Sequence, residues 1–178
     1  TKLPSVVTIA RMAEDVMRDG YGIVETCKEL EQRGADVVGM NCFRGPPTML
    51  PYLKEIRKQV KCHVGALPIP LRTNKKHTTW FNLPDRDDCG CGAPHGRTFP
   101  TALEPLLCNR YEIGQFAKDA HKIGINYLGV CCLGNPMLVR EVAHAVGLTV
   151  PASKYREKME NHLMYGENIQ KHMKHYGN

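Results

Sequence analysis

The sequence predicts an α/β fold in which four short strands form a parallel sheet and alternate with helices. Four apolar runs are short and rich in β-branched or small residues, and such near-continuous apolarity is typical of strands covered on both faces. Segments with apolar residues at helical spacing lie between these runs. The 178 residues, 42% of them hydrophobic and 24% charged, match a soluble globular protein. A chain of this length buries roughly 70% of its unfolded surface, which allows one sizeable core.

The predicted elements follow the order β-α-β-α-β-long loop-α-β-α. Strands are predicted over residues 5–10, 36–42, 62–69 and 126–132. Helices are predicted over residues 23–33, 48–60, 111–123 and 136–146. Gly34 and Gly124 stand where a left-handed residue ends a helix, and Pro136 opens the last helix in a first turn that tolerates proline. This alternation implies right-handed crossovers and either a doubly wound sheet or part of a (β/α)8 barrel, of which four units would be half.

Two segments depart from this alternation. The connection from residue 72 to 104 is long, polar and rich in turn residues, a length that compact domains normally reserve for a functional or mobile loop. Residues 151–178 have no apolar stripe and alternate charges with histidines. We therefore expect one α/β domain, a doubly wound sheet or a partial barrel, over residues 1–150, and a C-terminal extension or oligomerisation arm over residues 151–178.

Composition and charge exclude several classes of protein. The net charge is +6, but basic and acidic residues are mixed along most of the chain, which predicts no nucleic-acid partner. No apolar stretch approaches the roughly 20 residues that cross a bilayer, and the first residues show no signal-peptide pattern. We therefore expect a cytoplasmic protein without a membrane partner. The chain begins without Met, which favours a fragment or a processed chain.

Eight cysteines are present, at positions 27, 42, 62, 89, 91, 108, 131 and 132. The chain is longer than a small disulfide-rich scaffold, and several of its cysteines lie inside apolar strand-like runs. This pattern favours a reducing compartment in which the thiols serve packing or metal binding.

Three of these cysteines are candidate metal ligands. Cys42 ends the second predicted strand, and Cys131 and Cys132 end the fourth. The carboxyl ends of parallel strands meet at one edge of the sheet, where binding groups collect. Three thiolates would hold zinc and leave its fourth position open, as in catalytic sites. Adjacent cysteines share a metal only where the strand breaks into a loop, and Leu133 and Gly134 favour such a break; the alternative is that all three are small buried hydrophobic residues.

Three segments of the sequence resemble those of a known protein family. The segments that carry it are GADVVGMNC at 34–42, LEPLLCNRYEIGQFAKDA at 103–120 and INYLGVCCLGNPMLVREVA at 125–143. They resemble the C-terminal half of the homocysteine S-methyltransferase family, particularly its betaine-using branch. In that family the cysteine of GxNC and the paired cysteines of a GxCCG-like motif bind zinc, and these match Cys42, Cys131 and Cys132. Leu133 stands where the family usually has glycine.

The resemblance implies a fold, an activity and partners. The fold is the C-terminal half of a (β/α)8 TIM barrel, so the chain is expected to be a fragment of a longer enzyme. The activity is zinc-dependent transfer of a methyl group from betaine, or a related methylammonium or methylsulfonium donor, to homocysteine, which yields methionine. Homocysteine would take the fourth zinc position as a thiolate. The segment VPASK at 150–154 resembles the start of a dimerisation extension, so the full-length form is expected to be a homo-oligomer.

Two other functions remain open at this point. The first is a non-catalytic zinc-binding or interaction protein that keeps the cysteine site without the substrate-binding half. The second is a thiol redox protein that uses Cys131 and Cys132, which is disfavoured because adjacent cysteines form a strained disulfide ring and the chain has no Cys-x-x-Cys motif.

Weaker signals lie outside the candidate zinc site. Cys89, Cys91 and His95 form either a second metal or redox site or part of a flexible insert. Trp80 and Phe81 either cover a methylammonium group by cation-π attraction or simply anchor their loop. Core packing is predicted for Cys27 and Cys108 in helices and for Cys62 at the start of a strand. His63 is expected to be a satisfied or solvent-facing side chain.

Overall fold

The computed structural model describes residues 3–10, 16–84, 98–156, 158 and 162. It divides into two compact units, Thr1–Leu148 and Thr149–Asn178. The described strands and α-helices all lie in the first unit, and the second contains a short 3-10 helix at Pro151–Tyr155. Cys89, Cys91 and His95 lie outside the described residues, so their role stays a prediction.

The elements follow the predicted order. The strands are β1 at Val6–Ile9, β2 at Val37–Asn41, β3 at His63–Leu67 and β4 at Tyr127–Leu128. The α-helices are α1 at Ile23–Gln32, α2 at Pro46–Gln59, α3 at Arg110–Lys122 and α4 at Pro136–Ala145. Short 3-10 helices at Trp80–Asn82 and Glu104–Leu106 interrupt the long connection between β3 and α3. The prediction of four strands alternating with four helices is therefore confirmed.

The four strands form one parallel sheet in chain order. β1 pairs with β2, β2 with β3, and β3 with β4, each in parallel register. A doubly wound sheet reverses its strand order at a switch point. The described strands show no such reversal, so this part of the chain contains no switch point.

The main core lies between the sheet and the helices. Alternate side chains of β2 and β3 point to it, and Val38, Met40, Val64 and Ala66 are fully buried there. The opposite face carries the in-register row Thr8, Gly39, Gly65 and Tyr127. Tyr127 is 44% exposed on that face. The sequence predicted strands covered on both faces. The helices α1, α2 and α3 pack on one face. On the other face Val37, Gly39 and Gly65 of the two central strands are buried as well, although no described helix packs there.

Glycine at position 39 is required by the spacing of β2 and β3. Gly39 pairs directly with Gly65, and a Cβ at position 39 would lie only 2.0 Å from the Gly65 carbonyl oxygen. No rotamer change relieves that overlap, because the backbone fixes the position of the Cβ and the oxygen itself belongs to the backbone. The close approach of these two strands therefore depends on the absence of a side chain.

The two ends of the long connection between β3 and α3 contact each other. Leu71 and Leu107 form an antiparallel bridge, and a separate apolar cluster contains Ile69, Leu71, Leu83 and Leu106. Arg72 binds both carboxylate oxygens of Glu112, at 2.7 and 2.8 Å. The guanidinium of Arg72 holds the pKa of Glu112 below its usual value, and Glu112 also accepts from the Asn109 N–H at the start of α3. The ends of the predicted long loop are thus tied to the domain.

The fourth strand is shorter than predicted. It ends at Leu128, and Cys131 and Cys132 lie in the turn that follows rather than in the strand. Gly134 N donates to Cys131 O at 2.9 Å and closes this turn, in which Leu133 has a φ of 64°. A positive φ at the third position of a β-turn favours glycine. Leu133 therefore occupies a position that is strained for any residue with a side chain.

None of the helices in the described ranges combines the length and the apolar character that crossing a bilayer requires.

We predict that Gly39→Ala destabilises the protein, because the new methyl group has no space beside Gly65. The expected loss in the free energy of unfolding is about 3 kcal/mol, at the upper end of typical overpacking costs. Gly114→Ala is the matched control: Gly114 lies within α3, and a Cβ there meets nothing within 4 Å. It should stabilise the protein by about 0.5–1 kcal/mol. Urea unfolding followed by circular dichroism measures both, and equal effects of the two variants would contradict the assignment.

We predict that Leu133→Gly stabilises the protein, because it removes the left-handed strain in the turn after β4. That strain costs roughly 1–2 kcal/mol. Glycine also has more conformational entropy in the unfolded chain, which offsets about half of this gain, so the expected increase in the free energy of unfolding is about 0.5–1 kcal/mol. The Leu133 side chain is 50% exposed, so little packing is lost. Leu133→Ala is the control, since it trims the side chain but keeps the Cβ. A gain of equal size in both variants would argue against strain.

Candidate metal centre

Three cysteine sulfurs meet at the carboxyl edge of the sheet. The Sγ atoms of Cys42, Cys131 and Cys132 all lie within 4.8 Å of one another. Cys42 Sγ is 3.7 Å from Cys132 Sγ, and Cys131 Sγ is 3.8 Å from Cys132 Sγ. Cys42 and Cys131 are partly buried and Cys132 is exposed. The structure therefore brings together the three residues that the sequence selected, with one side of the group open.

The end of β3 holds the two cysteine-bearing segments in place. β2 and β4 are not neighbours in the sheet, and two strand spacings put them about 10 Å apart. The N–H of Cys42 donates to Leu67 O at 2.9 Å, and the N–H of Cys131 donates to Pro68 O at 2.8 Å. Consecutive carbonyl groups at the end of β3 thus fix both segments, and the sulfurs meet across that end.

The backbone turns sharply at the first cysteine. Cys42 has a φ of 54° and Phe43 a φ of 48°, and Arg44 N donates to Cys42 O directly after them. Residues with side chains seldom adopt this left-handed region, and those that do cluster at functional sites. The two positive φ values end β2 and direct the chain towards α2, so that Cys42 projects at the edge of the sheet.

The thiols differ in their tendency to ionise. Burial raises the pKa of Cys42 to about 12. Burial also acts to raise the pKa of Cys131, but hydrogen bonds from the Cys132 N–H, the neighbouring thiols and the Asn41 amide together bring it below its usual value. A cation among the sulfurs would stabilise their thiolate forms. A metal ion bound here would therefore take the place of the thiol protons.

The geometry fits zinc. Zinc bonds to thiolate sulfur at about 2.3 Å, and two such sulfurs in a tetrahedral shell lie about 3.8 Å apart. The two contacts of 3.7 and 3.8 Å at Cys132 match that edge length. Three thiol donors from the protein leave one tetrahedral position, which is the donor set of a site that binds a further ligand. Cys42, Cys131 and Cys132 are thus able to hold zinc with little rearrangement.

The remaining described cysteines pack in the protein interior. Cys27 on α1 is fully buried, and Cys62, directly before β3, is partly buried against the same core. Cys108 is buried as predicted, but it precedes α3 instead of lying in a helix, because Asn109 caps the helix after it. Its pKa is raised to about 12 by burial, as is that of Cys27. His63 is exposed and its Nδ1 lies 2.7 Å from Asn126 Nδ2, which agrees with a satisfied surface side chain.

An aromatic cluster lies beside the cysteine group. Trp80 stacks on Phe81 with ring centroids 4.0 Å apart, Phe43 stacks on Phe81 at 5.4 Å, and the Phe99 ring meets Trp80 edge-on at 4.5 Å. Trp80 N donates to Phe43 O at 3.1 Å, which ties the long connection to the turn after Cys42. These contacts agree with the anchoring role predicted for Trp80 and Phe81, and cation binding by these rings stays a prediction.

The sequence analysis did not identify one residue that contacts the cysteine group, Asn41. The Asn41 side chain reaches Cys131, with its Nδ2 atom 4.0 Å from the sulfur. The available signal was a polar residue at the end of an otherwise apolar strand, next to a candidate ligand. That signal does not identify the partner, because Cys131 lies 90 residues further along the chain.

The chain is similar to known methyltransferases over most of its length. It is 30% identical to betaine-homocysteine S-methyltransferase 1 of Danio rerio over 164 residues, which is 88% of this chain and 37% of that protein. It is 29% identical to S-methylmethionine-homocysteine S-methyltransferase of Mus musculus over 158 residues, which is 84% of this chain and 39% of that protein. The chain thus spans about two-fifths of the length of these curated relatives.

The family itself follows from a match to its sequence profile. The profile described as Homocysteine S-methyltransferase matches residues 2–146, which include the whole parallel sheet and all three cysteines of the metal centre. The match therefore covers well over half of the chain, and with it the part that carries the site. This chain belongs to the homocysteine S-methyltransferase family.

Proposed function

We propose that this chain forms the zinc-binding part of an enzyme that transfers a methyl group from a cationic donor to homocysteine. The observation that carries the proposal is the convergence of Cys42, Cys131 and Cys132, with sulfur separations of 3.7 and 3.8 Å and one side exposed. Membership of the homocysteine S-methyltransferase family supports the substrate. The three cysteines are the proposed metal ligands, and no other residue of the chain is assigned a catalytic role.

We further propose that the parallel sheet is the C-terminal half of a (β/α)8 barrel. Its strands follow chain order, its helices pack on one face, and the other face carries the row of small and aromatic residues described above. In such a barrel that second face points to the interior, and binding groups collect at the carboxyl ends of the strands. The relatives, of which the chain spans about two-fifths, are long enough to supply the remaining strands.

The residues of this chain hold and present the reacting group. Zinc bound to the three sulfurs would act as a Lewis acid that keeps a fourth, incoming thiol in its nucleophilic thiolate form. The Leu67 and Pro68 carbonyls hold Cys42 and Cys131 at a fixed separation, and the turn closed by Gly134 presents Cys132 beside them. The exposed side of the group at Cys132 leaves space for the incoming thiol. The homocysteine sulfur then forms a bond to the methyl carbon as the bond from carbon to the donor nitrogen or sulfur breaks.

The methyl donor belongs to the class of small cations. The relatives from Danio rerio and Mus musculus are named for betaine and for S-methylmethionine, a methylammonium and a methylsulfonium compound. When either compound loses its methyl group, the nitrogen or sulfur atom that carried the positive charge becomes neutral. Each is therefore a suitable donor for an in-line displacement at carbon. We propose betaine as the donor, in line with the resemblance to the betaine-using branch.

The second candidate is a zinc-binding or interaction protein without catalysis. It retains the same three sulfurs, and the observation that favours it is that these three sulfurs, all from this chain, supply three of the four ligands of a tetrahedral zinc site. In either case we propose a cytoplasmic protein whose segment 151–178 contributes to a homo-oligomer in the full-length form. The two candidates differ in whether homocysteine enters the fourth coordination position.

We predict that the purified, reduced chain contains one zinc ion bound by three sulfurs. Metal analysis and zinc-edge X-ray absorption measure the content and the ligands. Cys42→Ala should remove most of the zinc, because two thiolates bind far more weakly than three. Cys62→Ala is the matched control, since it replaces another partly buried cysteine, at the opposite end of β3, and should keep the metal. A folded, reduced wild-type chain without zinc would refute the metal centre.

We predict that adding homocysteine raises the number of sulfurs around zinc from three to four. The reason is that the fourth tetrahedral position lies on the exposed side of the cysteine group. The same X-ray absorption measurement detects the change, and methionine serves as the control ligand because its thioether has no proton to lose. Zinc that keeps three sulfurs at saturating homocysteine would favour the non-catalytic alternative.

A further inference from the structure

We infer that Asn41 is a positioning residue of the metal centre, in which its side-chain amide donates a hydrogen bond to the sulfur of Cys131. This inference rests on the proposed function only for the presence of a metal at the three cysteines. It concerns a residue that touches neither metal nor substrate and acts through a ligand. Its expected effect is to hold the Cys131 sulfur in the position from which it binds.

The first support is the contact itself. Asn41 Nδ2 lies 4.0 Å from Cys131 Sγ, the outer limit for a hydrogen bond to sulfur. A hydrogen bond to an ionised acceptor is shorter and stronger than one to a neutral acceptor. Conversion of the Cys131 thiol to a thiolate, which metal binding requires, would therefore draw the amide closer. Asn41 is a neutral donor, so it supports the thiolate without adding a charge that competes with the metal.

The second support is the position of Asn41 in the sheet. It is the last residue of β2 and pairs in register with Leu67 of β3. The Asn41 side chain must therefore cross the end of β3 to reach the segment after β4. Cys131 is held at the same end of the sheet, because its N–H donates to the carbonyl of Pro68, the residue after Leu67, at 2.8 Å. The amide and the sulfur therefore lie at one edge, on either side of the end of β3.

The third support is the way each cysteine is held. The backbone of Cys42 and that of Cys131 are fixed by the β3 carbonyls, but a backbone hydrogen bond does not select the side-chain rotamer. The sulfur of Cys131 must also lie near Cys132, from which it is 3.8 Å distant. A donor at Asn41 selects that rotamer before the metal arrives. Residues that orient metal ligands in this way typically contribute 10–100-fold to metal affinity.

The test compares metal binding in Asn41→Leu and Asn41→Asp with the wild-type chain. Asn41→Leu removes the donor and keeps the approximate size, while Asn41→Asp keeps the shape and replaces the N–H group by a carboxylate oxygen that repels a thiolate. Asn126→Leu is the matched control: Asn126 makes its own side-chain contact with His63 at the opposite, amino end of the sheet. Far-UV circular dichroism and thermal unfolding establish that each variant is folded.

Two readouts separate positioning from general stability. Zinc affinity is measured by competition with a chromogenic chelator, and Co²⁺ is titrated as a spectroscopic probe of the sulfur ligands. We expect Asn41→Leu to weaken zinc binding by about 10–100-fold and to shift the sulfur-to-cobalt charge-transfer band to longer wavelength, because a thiolate without the hydrogen bond is a better electron donor. Asn41→Asp should weaken binding at least as much. Asn126→Leu should leave the affinity and the band unchanged.

The outcomes distinguish this inference from the proposed function. A wild-type charge-transfer band that Asn41→Leu and Asn41→Asp leave unchanged, with zinc affinities within twofold of the wild type, would overturn the role of Asn41 and leave the metal centre intact. A folded wild-type chain without any charge-transfer band would overturn both. If Asn41→Leu fails to fold, the isosteric Asn41→Asp decides the question by the same two readouts. Equal losses in Asn126→Leu would also overturn the inference, because they would show a general effect of stability.

Discussion

The hydrogen bonds at the carboxyl end of β3 are the interaction on which the candidate site depends. β2 and β4 lie on opposite sides of β3, so the cysteine segments that follow them have no direct backbone pairing. The carbonyl groups of Leu67 and Pro68 each bind one of these segments, through the N–H of Cys42 and the N–H of Cys131. Because the two acceptors are consecutive residues, the last of β3 and the one after it, the distance between the two segments is set by backbone geometry and not by flexible side chains.

Close packing of the sheet supports this arrangement. Gly39 and Gly65 face each other on adjacent strands, and the fully buried Val38, Met40, Val64 and Ala66 pack on the helix side. The site itself contains unfavourable backbone conformations at Cys42, Phe43 and Leu133, each of which costs about 1–2 kcal/mol in isolation. The core and the β3 hydrogen bonds offset that cost. A rigid sheet therefore allows strained turns at its edge, which aim the sulfurs at a common point.

The charge of the proposed centre is opposite to that of the cationic group of its proposed methyl donor. Three thiolates around a divalent cation carry a net charge of −1, and a fourth thiolate would make it −2. A cationic methyl donor is attracted to such a centre and loses its charge during transfer, which lowers the charge separation in the transition state. The aromatic cluster of Phe43, Trp80, Phe81 and Phe99 contributes differently, since its rings pack on one another and anchor the long connection beside the site.

Local pattern was sufficient for the order of elements, and together with the family resemblance it selected the three cysteines. Apolar periodicity, Gly34, Gly124 and Pro136 marked the helices within a few residues, and Cys42, Cys131 and Cys132 followed two apolar runs that parallel pairing brings to one edge. The exact end of β4, the position of Cys108 before α3 and the contact of Asn41 with Cys131 were decided only by the tertiary structure. These features depend on strand register and on hydrogen bonds between residues up to 90 positions apart, whereas periodicity reports only on neighbours within a turn or a strand. The sequence alone therefore determined which thiols form the group, and the packing of β3 between their segments determined that the sulfurs meet.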